Sequence, residues 1–295
     1  MDRRRFVQGT AGAVALLSMS HPIRAAARMR ARKIPSSGES LPVVGFGQSS
    51  SFRDGDYDSA RGLLDVLIEK SGRFIDTGAR SQLVHGRYMQ ENNAHEQLFL
   101  ATNMKTDSEE EDLAYLRRSL EIQGKKSLDL VQLQRPSDFD EQWQRLRRWK
   151  EMGLTRHIGI AVSGQRYFPM IESLLRSGTA DFVQLNYSML EPESGERLLP
   201  MARDKGVAVV TNRPFVNGQY FPLVRGKKLP QWAADFDCES WAQFSIKYIL
   251  SNPAVNCVLT ETTKPHHAVD NLTAGFGRLP DDQTRVRMLE LIQSF

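Results

Sequence analysis

Eight short apolar runs recur along this chain, each followed by a longer amphipathic stretch. The runs are LPVVGFG (41–47), RFID (73–76), LFLAT (98–102), LDLVQL (128–133), RHIGIA (156–161), FVQL (182–185), VAVV (207–210) and VNCVL (255–259). Between them lie helical patterns with recognisable ends. EEEDLAYLRRSLEIQG opens with carboxylates suited to the positive end of a helix and stops at Gly124. DFDEQWQRLRRWKEMG closes on Gly153, GQRYFPMIESLLRSG on Gly178 and PESGERLLPMARDKG on Gly206, where Pro200 is expected to bend the helix. Ser240 is placed to cap SWAQFSIKYILSNP, PHHAVDNLTAG follows the last strand, and a tail helix spans roughly 281–294. The segment after Asp76 is short and polar and gives the weakest helical signal.

Strand–helix alternation repeated eight times over about 250 residues predicts a (β/α)8 TIM barrel. An open, doubly wound sheet shares that rhythm, but no GxGxxG follows the first strand. In a barrel the chemistry sits at the C-terminal ends of the strands. The candidate residues are therefore Asp76, Asn103 followed by Lys105, Gln134 and Arg135, Ser163, Gln184 and Asn186, Asn212 and Arg213, and Thr260 and Glu261.

Those positions carry a resemblance to the aldo-keto reductase superfamily that covers nearly the whole chain after residue 27. FIDTG resembles the family's catalytic-aspartate strand, SLDLVQLQRP the strand that ordinarily ends in histidine, and WKEMGLTRHIGIAVSG, FVQLNYSMLEPES and TTKPHHAVDN its later cofactor-contacting segments. GVAVVTNRPFVNG is similar to exported bacterial members. The resemblance implies NADP(H)-dependent carbonyl or alcohol redox chemistry run by aspartate, tyrosine, lysine and histidine. A phenol, with an ordinary pKa of ~10, needs a neighbouring cation before it can serve as a proton donor near neutrality. Asp76 matches the aspartate, whereas Ser81, Asn103 and Gln134 stand where tyrosine, lysine and histidine are expected. Neither amide titrates, and serine is a far weaker acid than a phenol. Ordinary carbonyl reduction is thus expected to be impaired. Lys105, two residues beyond Asn103, is a possible substitute cation, and His85 and Tyr88 follow the Asp76 strand; each is otherwise an ordinary loop or helix residue.

The resemblance also implies cofactor contacts at Ser163, Gln184, Asn212, Thr262, Thr263, Lys264, His267 and Asn271. Asn212 stands where an aromatic usually stacks on the nicotinamide, and Glu261 brings negative charge near the phosphates. A helix starting near His266 favours an anion there. Two functions stay open: an NADP(H)-linked oxidoreductase with an altered acid, or an exported pseudoenzyme that binds a small molecule in the barrel mouth. Arg80, Lys105, Arg135 and Arg213 gather at that mouth, as an anion site or as rim residues paired with local acids.

The formal charge of +4 comes mostly from the N-terminus. Residues 1–27 hold four of the 39 basic residues and one of the 35 acidic ones, so the remainder is nearly neutral and offers no footprint for nucleic acid. Arg3-Arg4-Arg5-Phe6, a weakly apolar run from Ala11 to Met19 and Ala25-Ala26-Ala27 read as a cleavable Tat-type signal, too short in its apolar part for a membrane span. This makes 28–295 the barrel, exported by the Tat machinery to the periplasm or beyond. The partners expected are that machinery and a small-molecule ligand or carbonyl substrate. Cys238 and Cys257 are the two cysteines; an oxidising compartment permits a bridge, and spacing does not test it. No cluster with metal-ligand spacing occurs, and the adjacent His266 and His267 are expected to diverge.

Overall fold

The computed structural model describes residues 28–53, 57–104, 108–134 and 136–295. Residues 1–27, expected above to be a signal, Lys105 and Arg135 lie outside the described residues. Two short strands, β1 (Ala31–Lys33) and β2 (Ser40–Pro42), form an antiparallel hairpin. Eight parallel strands follow: β3 (Val44–Phe46), β4 (Phe74–Thr77), β5 (Phe99–Met104), β6 (Leu128–Leu133), β7 (Thr155–Ala161), β8 (Phe182–Asn186), β9 (Ala208–Asn212) and β10 (Val255–Thr260). They pair in chain order, and β10 pairs back onto β3, closing the barrel. The (β/α)8 architecture is therefore as the alternation predicts.

The outer helices are α1 (Ser50–Arg53), α2 (Tyr57–Glu69), α3 (Gln82–Asn92), α4 (Glu109–Gln123), α5 (Phe139–Glu151), α6 (Phe168–Ser177), α7 (Ser194–Asp204), α8 (Tyr220–Val224), α9 (Trp241–Ser251), α10 (Pro265–Thr273) and α11 (Asp282–Gln293). Their ends follow local chemistry. Ser108 caps α4 by accepting from the Glu111 N–H, and Ser240 caps α9 by accepting from Gln243. Gly124 and Gly178 end α4 and α6 in the left-handed conformation. The weak pattern after Asp76 forms the 11-residue helix α3.

One strand reading needs correction. LPVVGFG is not a single strand: it divides at Val43, with β2 pairing to the hairpin and β3 entering the barrel. The hairpin seals the barrel floor, where Ile34 and Leu41 join a buried cluster with Phe74, Phe99, Leu130 and Phe182. The rings of Phe74 and Phe99 stack at 5.4 Å, and Phe182 lies 6.0 Å from Phe99. Two glycines make room for them. A Cβ on Gly45 would meet the Phe74 carbonyl oxygen at 2.5 Å, and one on Gly159 the Phe182 carbonyl oxygen at 2.7 Å.

Two residues further along, the same inward face turns polar. Asp76 follows Phe74, Asn103 follows Ala101, Gln132 follows Leu130 and Gln184 follows Phe182, as the two-residue strand period requires. The strands thus carry a fixed boundary between an apolar floor and a polar cup.

Candidate functional site

The cup centres on Asp76. Its carboxylate is buried, and three carboxamides bind it. Asn103 Nδ2 donates to Oδ1, Gln48 Nε2 donates to the same oxygen at 3.4 Å, and Gln184 Nε2 donates to Oδ2 at 3.0 Å. Asn103 arrives on β5, the strand beside that of Asp76, Gln184 on β8 from across the barrel, and Gln48 from the turn after β3. Burial raises the Asp76 pKa to about 6; the three amides pull it down, and the charge of Glu261 pushes it up. Among the described residues its hydrogen-bond partners are all uncharged, so neutral dipoles only partly offset the rise that burial causes.

Asp76, Gln134, Ser163, Gln184, Asn212 and Glu261 line a cavity of about 630 Å³ at the barrel mouth. A second cavity of about 200 Å³ adjoins it, reaching Ser81, Asn103 and Arg80 and sharing Gln48, Arg53 and Gln134 with the first. Glu261 folds over Gly47, where a Cβ would meet its Oε1 at 2.6 Å. Its side chain keeps solvent-facing surface, yet atoms crowd the carboxylate enough that desolvation raises its pKa, opposed by Arg53.

The other expected residues divide clearly. Ser81 is buried and committed locally: its Oγ lies 3.1 Å from Thr77 Oγ1, donates to the Gly78 carbonyl and accepts from the Gly78 N–H. His85 Nδ1 lies 2.9 Å from Thr77 Oγ1, and full burial pushes its pKa down to about 3, so the ring is neutral. Tyr88 does not fold over the mouth. Its hydroxyl donates to Asp65 on α2 at 2.8 Å, which removes it as a substitute phenol. Arg213 pairs with Glu191 at 3.0 Å, and Arg80 is exposed beside the smaller cavity.

Towards α10, Ser49 Oγ donates to the Thr262 carbonyl, and the Lys264 N–H donates to Thr262 Oγ1. Thr263, Lys264 and His267 are exposed, while Asn271 is buried on the inner side of the helix. No side chain caps α10, so its first N–H groups face outward beside these residues. Partial burial and the neighbouring charges of His266 and Lys264 lower the His267 pKa, marking a locally positive surface. The two histidine rings do not diverge; they pack edge to face at 4.3 Å. Among the described residues no three His, Cys, Asp or Glu side chains are grouped to hold a metal ion, no helix is long and apolar enough to cross a membrane, and both cysteines are free and buried.

Sequence reasoning missed Gln48, Arg53 and the aromatic wall of Phe215 and Phe221, all of which reach the cup from loops or short helices. A loop residue's reach carries no periodic signal. Gln48 alone was findable, as the first polar side chain after the GFG that ends the first barrel run.

The model of the aldo/keto reductase family matches residues 43–287. The chain belongs to that family. An aldo-keto reductase of Mycolicibacterium vanbaalenii is 28% identical over 262 residues, covering 82% of this chain and 86% of the relative. Among solved structures, the holo form of an aldo-keto reductase from Bacillus halodurans has a TM-score of 0.73 at 18% identity, covering 90% of this chain and 96% of that one. An aldo-keto reductase from Klebsiella pneumoniae in complex with NADPH has a TM-score of 0.71 at 14% identity, covering 90% and 95%. At these identities the structural likeness speaks for the aldo-keto reductase barrel alone.

Proposed function

We propose that this aldo/keto reductase family member binds NADP(H) at the barrel mouth but does not reduce ordinary carbonyls through a phenol–ammonium relay. One observation carries the reading: Asp76 is bound by Gln48, Asn103 and Gln184, three groups that neither titrate nor carry charge. Such a shell supplies no cation to bring a phenol's pKa towards neutrality. The family's tyrosine, lysine and histidine positions hold Ser81, Asn103 and Gln134, and Ser81 is tied to Thr77 and Gly78.

The residues present fit the cofactor at its two ends. Gln184 spends its Nε2 on Asp76, leaving Oε1 with no hydrogen bond from any described residue, so a carboxamide NH2 has an acceptor beside the Ser163 hydroxyl. At the far end, the uncapped N-terminus of α10 with Thr263, Lys264 and His267 suits a phosphate. Between them Glu261 opposes the diphosphate, which weakens the site without closing it. When bound, NADP(H) supplies hydride chemistry; the chain's residues orient its carboxamide and neutralise its phosphate.

A second reading, a binding protein without turnover, rests on the same neutral shell around Asp76. Nucleotide binding and turnover separate the two. NADPH is expected to quench or shift in fluorescence on the 28–295 protein and to raise its melting temperature. Aldehyde and ketone turnover is expected to be absent in wild type and gained in S81Y/N103K/Q134H. Turnover by wild type overturns the reading that the relay is lost, and absence of NADPH binding overturns the cofactor reading. Export belongs to the same proposal and rests on Arg3-Arg4-Arg5-Phe6. A reporter fused behind residues 1–27 is expected to leave the cytoplasm, and to stay there in R4K/R5K.

A further inference from the structure

We infer that the inner cup takes a neutral polyhydroxylated ring, of the cyclitol or glycoside class, held between an acceptor-rich floor and the Phe221 face. The inference rests on the reading above only for its choice of the barrel mouth; it requires neither nucleotide nor turnover.

The floor is acceptor-rich because of Asp76. The carboxylate draws the NH2 ends of Gln48, Asn103 and Gln184 to itself. Their carbonyl ends are thereby left for other donors. Asn103 Oδ1 and Gln184 Oε1 sit on residues more than nine-tenths buried that line the two adjoining cavities, and neither accepts a hydrogen bond from a described residue. Asn212, a half-buried residue, also has an Oδ1 that accepts from no described residue, its Nδ2 being spent on the Val162 carbonyl at 3.0 Å. Buried acceptors of this kind are costly unless a donor meets them. Hydroxyl groups answer that need, because each donates one hydrogen bond and still accepts others. Gln134, Ser163 and Arg53, also in the walls, supply donors in return.

Charge narrows the ligand class. Asp76 and Glu261 both face the larger cavity, and Arg213 there is already paired with Glu191. Among the described residues an anion would meet two carboxylates, and a cation would meet the Arg53 guanidinium. A neutral ligand avoids both costs.

The remaining wall is aromatic and strained. Arg213, Val216 and Asn217 all take positive φ, at 57°, 46° and 53°. That conformation is unfavourable for non-glycine residues and most of all for β-branched valine, and it persists where surrounding structure demands it. The strained turn brings Phe215 and Phe221 to the cavity, their ring centroids 4.9 Å apart, and leaves Phe221 41% exposed. A flat ring with C–H groups on one face and hydroxyls at its edge matches an aromatic wall above a floor of acceptors.

The test is isothermal calorimetry on nucleotide-free protein with myo-inositol and the methyl pyranosides of glucose, galactose and mannose, none of which has a free carbonyl. Sulfate, citrate and choline serve as charged comparisons. At least one neutral probe is expected to bind, the charged ones not. F221A, a change at an exposed side chain, is expected to weaken binding about 3- to 10-fold. Q184L, which removes a floor acceptor, is expected to weaken it about 10-fold or more. Silence across the neutral panel with an unaltered melting curve overturns the inference. So does tighter binding of any charged probe, or binding that both variants leave unchanged. NADPH fluorescence on the same preparation keeps the two readings separate: neutral-probe binding without NADPH binding removes only the cofactor, and the converse removes only the polyol.

Discussion

The two halves of the barrel interior draw on the same four strands, β4, β5, β6 and β8, and obey opposite rules. Below, Phe74, Phe99, Leu130 and Phe182 fill the space between the strands and the hairpin floor, all fully buried. Above, Asp76, Asn103, Gln132 and Gln184 replace them, and Gln132 has neither amide atom in a hydrogen bond with a described residue. Dispersion and hydrophobic burial hold the floor. In the cup, polar groups are concentrated beyond what they can satisfy among themselves, so the cup costs stability that the floor supplies. A site that keeps buried acceptors open is one suited to a ligand that closes them.

The largest test of this contrast is in the floor. Phe182→Ala removes a fully buried ring packed against Phe99 and His157, and is expected to cost about 3–5 kcal/mol in denaturant unfolding. A loss below about 1 kcal/mol would mean that the floor does not carry the fold.

The next effect belongs to the cup and has the opposite sign at neutral pH. Burial lifts the Asp76 pKa from 3.8 to about 6, so the folded chain holds this proton to higher pH than the unfolded chain. Folding therefore takes up a proton in that window, and stability falls as pH rises through it, by on the order of 3 kcal/mol in all. Asp76→Asn is expected to remove this downward slope in urea melts taken between pH 4 and pH 7. An unchanged slope would place the proton uptake elsewhere.

The strand parity that produces both halves was legible in the sequence, because Phe74/Asp76 and Phe182/Gln184 are two-residue repeats whose inward face follows from the strand period. The closing hairpin was not. ARK at 31–33 has no apolar alternation, and its partner SLP merges in sequence with the barrel strand that follows. In the site, Asp76 and its two strand-borne amides were visible as strand ends. Gln48, Arg53 and Phe221 were not, since their approach depends on loop paths set by tertiary packing. The acid that pairs with Arg213 in the basic cluster was hidden for a related reason. Arg213 and Glu191 are 22 residues apart and meet only because the ends of β8 and β9 adjoin.

A glycine in β3 and another just beyond its end sharpen the comparison at smaller scale. A Cβ on Gly45 meets backbone, the Phe74 carbonyl oxygen at 2.5 Å, whereas one on Gly47 meets only the side chain of Glu261, at 2.6 Å. Gly45→Ala is therefore expected to destabilise by about 1–3 kcal/mol through overpacking. Gly47→Ala is expected to cost less than about 1 kcal/mol, because the carboxylate can swing into the cavity. Equal costs measured by thermal unfolding would show a cup as rigid as the floor.

The smallest effect asks whether the cup is one electrostatic unit. Glu261 contributes to the rise in Asp76 through its charge, behind burial, and its own pKa is raised by desolvation while Arg53 opposes. Glu261→Gln removes that charge and keeps the shape. The Asp76 midpoint, followed by carboxyl carbon NMR, is then expected to move down slightly, because an uncharged neighbour no longer penalises ionisation. Raising the salt concentration in wild type is expected to mimic only part of that shift, since charges facing an enclosed cavity are screened less than surface ones. If the midpoint stays fixed in Glu261→Gln, the two carboxylates do not feel each other across the cavity. The case against an anionic ligand would then rest on Asp76 alone, and the upper half would be a set of separate polar groups rather than a single field set against the apolar floor.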